Sequence, residues 1–141
     1  MKTHAQCGII LENKEGKILL QLRDNKKTIE YPHCWGTFGG AIEDGETPLQ
    51  AVIREIKEEL DYDLKKPEHF GTFPFEKYSI FMFRKVDAQI TIEQLNVREG
   101  QKGAFFSLEE IRTLPCAFNC KEIAEIYFKT FSSRKHAKNH Q

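Results

Sequence analysis

No run in this 141-residue sequence is long and apolar enough to span a bilayer, and no hydrophobic leader follows the opening Met1-Lys2-Thr3-His4. A membrane protein and a secreted one are therefore not expected, and the chain reads as cytoplasmic. Charge of either sign in excess is also missing. Lys and Arg number 21, Asp and Glu 21, and the formal net charge is +0, so no global field recruits a nucleic acid duplex or an anionic membrane. Cysteine is scarce, and Cys7, Cys34, Cys116 and Cys120 show neither a C-x-x-C spacing nor histidines arranged for zinc. Buried or indifferent thiols are the expectation. Internal repeats and low-complexity blocks are absent, and the length suits one core. Residues 1–131 are expected to form a single domain, and 132–141 a basic, disordered tail.

What is there is a sequence of strands broken by well-signalled helices. Gln6–Glu12 and Lys17–Arg23 are β-compatible runs around Asn13-Lys14-Glu15-Gly16, which reads as a hairpin turn. Asp24–His33 reads as a surface loop, and Trp35–Phe38 leads into Gly39-Gly40. Phe70–Phe75 and Lys77–Val86 read as strands, the second apolar on both faces and so covered on both. Gly103–Phe106 is a last strand. Ser107 with Glu110 and Asn119 with Glu122 have the spacing of capping boxes, the second opening a helix to about Phe131 with Ile123, Ile126, Tyr127 and Phe131 inward. Strands mixed with two substantial helices predict an α/β sandwich, a mixed sheet between helical layers.

The helix that carries chemistry begins after the turn. Thr47 suits the N-cap, Pro48 the first helical position and Gln50 the reciprocal acceptor, with Leu49, Val52, Ile53, Ile56 and Leu60 as the expected apolar stripe. Glu55, Glu58 and Glu59 fall at i, i+3 and i+4, on one exposed face. Like charges so stacked repel by ~0.2 to 0.5 kcal/mol per pair, and a divalent cation reverses that sign. The plain alternative is a solvated acidic face, with Arg54 and Lys57 as partial neutralisers.

Gly40, then Glu46, then Arg54-Glu55-Ile56 with Glu58 and Glu59, resembles the box of the Nudix hydrolases, of MutT-like type, and the likeness covers nearly the whole chain. One position departs from it. Asp61 stands where the family has a glycine that ends the helix, at an expected cost of ~1 kcal/mol in the left-handed conformation. The resemblance implies the family's α/β/α sandwich with a mixed β-sheet, and hydrolysis of a diphosphate linkage in a nucleoside diphosphate joined to another group. It further implies Mg²⁺, with Mn²⁺ able to substitute, held by Glu55, Glu58, Glu59 and a glycine carbonyl at Gly39 or Gly40. Arg54 and Glu46 match the pair that braces the loop against the helix.

A further acid is expected from Arg98-Glu99-Gly100-Gln101, where Glu99 resembles the loop residue that supplies a metal ligand or general base in MutT-like members. Among the carboxylates, Glu55, Glu58 and Glu99 all remain eligible as the base. Arg23 and Asn119 match substrate-binding positions, although Arg23 also reads as a strand-end charge and Asn119 as a helix N-cap. The expected substrate is a small nucleotide, purine nucleoside triphosphates first, giving a monophosphate and pyrophosphate; nucleotide sugars and ADP-ribose come next. The protein is expected to be a monomer or homodimer. Two other classes share the scaffold. A non-catalytic nucleotide sensor often loses the box glutamates, which are kept here, and an isoprenoid isomerase needs a catalytic cysteine, for which Cys34 is the only nearby residue and the intact box argues against it.

Overall fold

A computed structural model describes residues 4–139, with side chains from 5 to 131. Its elements run β1 (His4–Glu12), β2 (Ile18–Leu22), β3 (Trp35–Gly36), β4 (Phe38–Ala41), α1 (Pro48–Leu60), β5 (Glu68–Phe75), β6 (Tyr78–Val86), a 3-10 turn at Ile92–Gln94, β7 (Lys102–Phe106), α2 (Leu108–Ile111) and α3 (Cys120–Asn139). The expected hairpin is present. Asn13 closes it by accepting from the Glu15 and Lys17 amides at 3.1 and 3.0 Å, and Gly16 takes the positive φ of 78°.

The sheet is mixed because β1 and β6 run parallel while the other pairs are antiparallel. One edge of β1 takes the whole length of β6. Its other edge is divided, pairing β4 through Gln6–Ile9 and β2 only at Glu12. The stretch 35–41 pairs with β2 as β3, breaks at Thr37, and pairs with β1 as β4. The two halves of the sheet thus part beyond the hairpin, and the gap between them becomes a cleft.

Alternation along the strands builds two cores. Ile9, Leu11, Leu19, Phe38 and Phe83 pack with Val52, Ile56 and Leu60 of α1 on one side. Ile10, Ile18, Leu20, Leu22 and Met82 pack with Ile123, Ala124 and Tyr127 of α3 on the other. This is an α/β/α sandwich, and β6 is covered on both faces as its sequence implied.

Two helical stripes differ from expectation. Leu49 and Ile53 are 44% and 38% exposed, whereas Ala51 and Glu59 are buried. The cause lies in β4, where Gly39 and Gly40 have no side chains to hold the helix off, so α1 seats with its small and glutamate-bearing positions toward the turn. Ile126, expected inward, is 44% exposed, and inward packing of α3 runs through Ile123, Ala124 and Tyr127. The backbone of α3 continues as helix to Asn139, while the tail's side chains from 132 and residues 140–141 lie outside what is described.

Tyr127 joins α3 to the far end of the sheet. Its hydroxyl donates to the buried Glu12 carboxylate at 2.5 Å and accepts from Arg84 Nε at 3.2 Å. Tyr127→Phe keeps the ring packing and deletes one partner of a buried carboxylate, so it should lower the unfolding free energy by about 1–3 kcal/mol, read as a lower urea midpoint at unchanged m. An unaltered midpoint would show that this hydroxyl contributes no net stability.

Candidate functional site

The site is assembled around the end of β4 and the start of α1. Thr47 and Gln50 form the full capping box, with Gln50 N–H to Thr47 Oγ1 at 3.1 Å and Thr47 N–H to Gln50 Oε1 at 2.9 Å. Pro48 occupies the first turn, and Asp61 ends the helix in the left-handed conformation (φ 53°, ψ 40°), as its position in the sequence implied. The glycine turn is fixed by contact. A Cβ on Gly39, whose φ is 151°, would lie 2.1 Å from the Cys7 carbonyl oxygen, and one on Gly40 would lie 2.7 Å from the Glu55 carboxylate.

Arg54 organises the approach. Its Nε and Nη2 hold Glu46 in a two-point pair at 2.7 and 3.0 Å, and Nη2 also donates to the Ala41 carbonyl at 3.2 Å. Its Nη1 reaches Glu55 at 3.0 Å and Glu58 at 3.3 Å. The brace to Glu46 and the i,i+4 pair with Glu58 are therefore both present. The Arg54 guanidinium keeps its proton more firmly than usual because Glu46 and Glu55 bond to it, and the same bond holds the Glu46 carboxyl below the ordinary carboxylate range.

The three helix carboxylates do not share one exposed face. Glu58 is open to solvent with its side chain 59% exposed, Glu55 is mostly covered at 15%, and Glu59 is buried at 3% overall. Glu59 accepts the Gly39 N–H at 3.0 Å. Burial raises its proton affinity well above the ordinary carboxyl value, and the neighbouring Glu99 and Glu55 carboxylates raise it further. Glu99 itself is exposed, so the cluster grades from a wet edge to a dry interior. Among the described residues no three His, Cys, Asp or Glu side chains form a ready ion-holding group, Glu55 and Glu58 being turned to Arg54.

The donors nevertheless suit a hard cation. They are all oxygen, Gly40 lacks the side chain that would fill the space over Glu55, and the burial that raises the proton affinity of Glu59 is one a bound cation would offset. The Gly40 carbonyl, an expected further ligand, lies 3.5 Å from the Cys7 thiol, and burial lifts that thiol's pKa to about 11. Cys7 is thus a neutral thiol rather than a nucleophile.

Beside this cluster a cleft of about 490 Å³ opens between the two halves of the sheet, and Gly39, Gly40, Glu99, Tyr78, Phe118 and Asn119 are among the residues that line it. Arg23 is there too. Its Nη2 donates to the Glu30 carbonyl at 2.9 Å and its guanidinium stacks on Phe118 at 5.1 Å, so it is a built part of the wall and not a loose strand-end charge. Asn119 does not form the expected capping box with Glu122. Its Nδ2 donates to the Pro74 carbonyl at 3.4 Å while its backbone carbonyl starts α3 by accepting from Ile123, which leaves the amide on the cleft wall. Gly39, Gly40, Arg23, Glu99 and Asn119 therefore all line one cleft, whereas Glu46, Arg54, Glu55, Glu58 and Glu59 lie outside its lining.

Sequence reasoning missed Phe118 and the Thr28–Glu30 loop, both part of the cleft wall. Phe118 has a φ of 52° in the connection between α2 and α3, a segment anchored by Trp35 N–H to the Pro115 carbonyl and Ala117 N–H to the Trp35 carbonyl, both 2.8 Å. No local pattern signals that long-range anchoring.

A mixed seven-stranded sheet between helices, with a glycine turn feeding an acidic helix at the mouth of a cleft, defines a MutT-like α/β/α protein. The chain belongs to the Nudix family, since the model of the NUDIX domain matches residues 2–127. An RNA pyrophosphohydrolase of Shewanella woodyi is 30% identical over 105 residues, covering 74% of this chain and 55% of that protein. An 8-oxo-dGTP diphosphatase of Haemophilus influenzae is 36% identical over 101 residues, covering 67% and 68%. A solved mutT/nudix family protein of Listeria innocua superposes with a TM-score of 0.81 at 19% identity, over 97% of this chain and 99% of that one, and shows the shared fold. The chain thus spans about half the length of the Shewanella relative and two thirds of the Haemophilus one.

The burial of Glu59 sets a pH dependence. Burial holds the Glu59 carboxyl's pKa well above the ordinary value of 4.5 that it has in the unfolded chain, so this group's contribution to stability is fully present below that pH and is lost as pH rises toward the folded value. Glu59→Gln can still accept from Gly39 N–H and can donate to the neighbouring carboxylates. It should raise the melting temperature in chelator by more at pH 8 than at pH 5, and an equal change at both would contradict the assignment.

Proposed function

We propose that this chain is a Mg²⁺-dependent hydrolase that splits the diphosphate linkage of a nucleoside diphosphate joined to another group. Purine nucleoside triphosphates are the first substrates expected, with a monophosphate and pyrophosphate as products. The observation that carries this reading is the crowding of Glu55 and Glu99 against the buried Glu59 beside Gly39 and Gly40, which with Glu99 line a nucleotide-sized cleft. Family membership supports the reaction type, and the Haemophilus relative's name supports the purine triphosphate. The Shewanella relative's name supports diphosphate hydrolysis on a larger substrate.

In this reading Glu55, Glu58, Glu59, Glu99 and the Gly40 carbonyl hold the ion. Mg²⁺, or Mn²⁺ in its place, would neutralise phosphate oxygens and acidify a nearby water. The chain's own residues do the remaining work. Arg54 touches no substrate; it fixes Glu55 and Glu58 in angle and ties them through Glu46 to the loop before the helix. Gly39 N–H keeps one Glu59 oxygen aimed inward. Glu55, Glu58 and Glu99 are the carboxylates able to take the proton of the attacking water, and reach decides among them. Arg23 supplies positive charge along the cleft, and the Asn119 amide offers a donor and an acceptor to a base edge.

Phosphate release with Mg²⁺ across nucleoside triphosphates, nucleotide sugars, dinucleoside polyphosphates and ADP-ribose tests the activity and ranks the substrates. Glu58→Gln and Glu55→Gln should each lower kcat by about 10²-fold or more with an unchanged fold by circular dichroism. Full activity in both variants would reject the helix as the active site. Asn119→Ala should change the ratio of kcat/KM between purine and pyrimidine triphosphates at nearly constant melting temperature, because its side chain bears no cap; a constant ratio would remove it from base reading.

A further inference from the structure

Asp61 is unfavourable on local grounds. It sits at φ 53°, a conformation glycine adopts freely and an L-residue does not, and it places a carboxylate at the negative end of a helix. Two cations face it, Lys57 Nζ at 3.1 Å and Arg98 Nη2 at 3.6 Å. Lys57 has another partner, Asp63 at 3.1 Å, whereas Asp61 is the acid paired with Arg98 among the described residues.

Arg98 precedes Glu99. Between the 3-10 turn and β7 the chain makes no regular structure of its own, yet it is tied to the end of α1 by two backbone bonds, Asn96 N–H to the Leu60 carbonyl at 3.1 Å and Arg98 N–H to the Glu59 carbonyl at 2.8 Å. These satisfy helix-end carbonyls that have no partner within the helix. Beyond Glu99, Gly100 turns at φ 78° and the Gln101 N–H returns to the Leu22 carbonyl at 2.8 Å. The Asp61–Arg98 pair thus closes a third tie on the side where Glu99 meets Glu59.

We propose that Asp61 is a positioning residue that acts through Arg98 to hold the 96–101 loop on the end of α1 and so keep Glu99 against Glu59. This rests on the reading of Glu99 as a cation ligand. A glycine at position 61 would end the helix with less strain and would leave Arg98 without this acid, which gives the departure from the family pattern a physical purpose.

Charge and position make opposite predictions at Arg98. It is a cation near a cation site, so on charge alone its removal tightens binding of a divalent ion; if it positions Glu99, its removal weakens binding. The experiment is titration of the chelator-treated protein with Mn²⁺ alone, followed by the electron paramagnetic resonance signal of the free ion. Arg98→Gln and Asp61→Asn should each bind Mn²⁺ about two- to fivefold more weakly, the range an exposed ion pair can supply. The double variant should be no weaker than either single one, because both remove the same tie. In the metal-free protein the backbone amides at positions 96 and 98 should exchange faster in both variants while the melting temperature holds.

Equal or tighter Mn²⁺ binding by Arg98→Gln overturns the proposal, as does strict additivity of the two substitutions. Glu99→Gln, measured alongside, separates the levels. If it leaves Mn²⁺ binding unchanged, the assignment of Glu99 falls and the positioning role falls with it; if it weakens binding while Arg98→Gln does not, the positioning role alone is wrong.

Discussion

A carboxylate held almost out of water is costly unless it is protonated, hydrogen-bonded or paired with a cation, and Glu59 is such a group. Much of the local structure follows from where that side chain must go. The helix lies against β4 because Gly39 and Gly40 present bare backbone, and the same bare backbone offers the N–H that Glu59 accepts. Glu55 lies over Gly40 in the space a side chain would have taken. Glu99 arrives from a loop that the helix end itself captures through two of its free carbonyls. The result is a cluster of carboxylates crowded around one buried member.

Arg54 carries the opposite charge into this setting without cancelling it. Its strongest contact is to Glu46, on the loop, and only its remaining nitrogen reaches Glu55 and Glu58. One guanidinium thus ties the loop before the helix to two acids on it. The cleft supplies the rest of the account. It lies where β1 changes partners from β4 to β2, and Arg23, Tyr78 and the adjacent Phe118 and Asn119 come from three separate segments to line one space.

The sequence conveyed those features that depend on neighbours along the chain. Thr47-Pro48 with Gln50, Ser107 with Glu110, and Asn13 with Gly16 announced a helix, a second helix and a hairpin, and each formed through the hydrogen bonds those residue types make. Apolar residues on both faces of β6 imply its cover on both. The box placed the acids on α1. What local pattern could not give was depth. Glu59 lies one residue from Glu58 and is as polar, and only the close packing of a glycine strand buries one while the other stays wet. Leu49 and Ile53 were misjudged for the same reason, since a period shows where a stripe is and not which edge of it meets the sheet. The residue type of Asn119 favours an N-cap, but its side chain is turned so that Nδ2 donates to the long-range Pro74 carbonyl.

Under the proposed function, a divalent ion replaces a proton on this cluster. Calorimetric titration with Mg²⁺ near pH 7, repeated in buffers of different ionisation enthalpy, counts the protons released as the ion binds. The account predicts about one proton set free per ion bound, and none in Glu59→Gln. Binding with no proton released by the parent protein, or no binding at all, would contradict it.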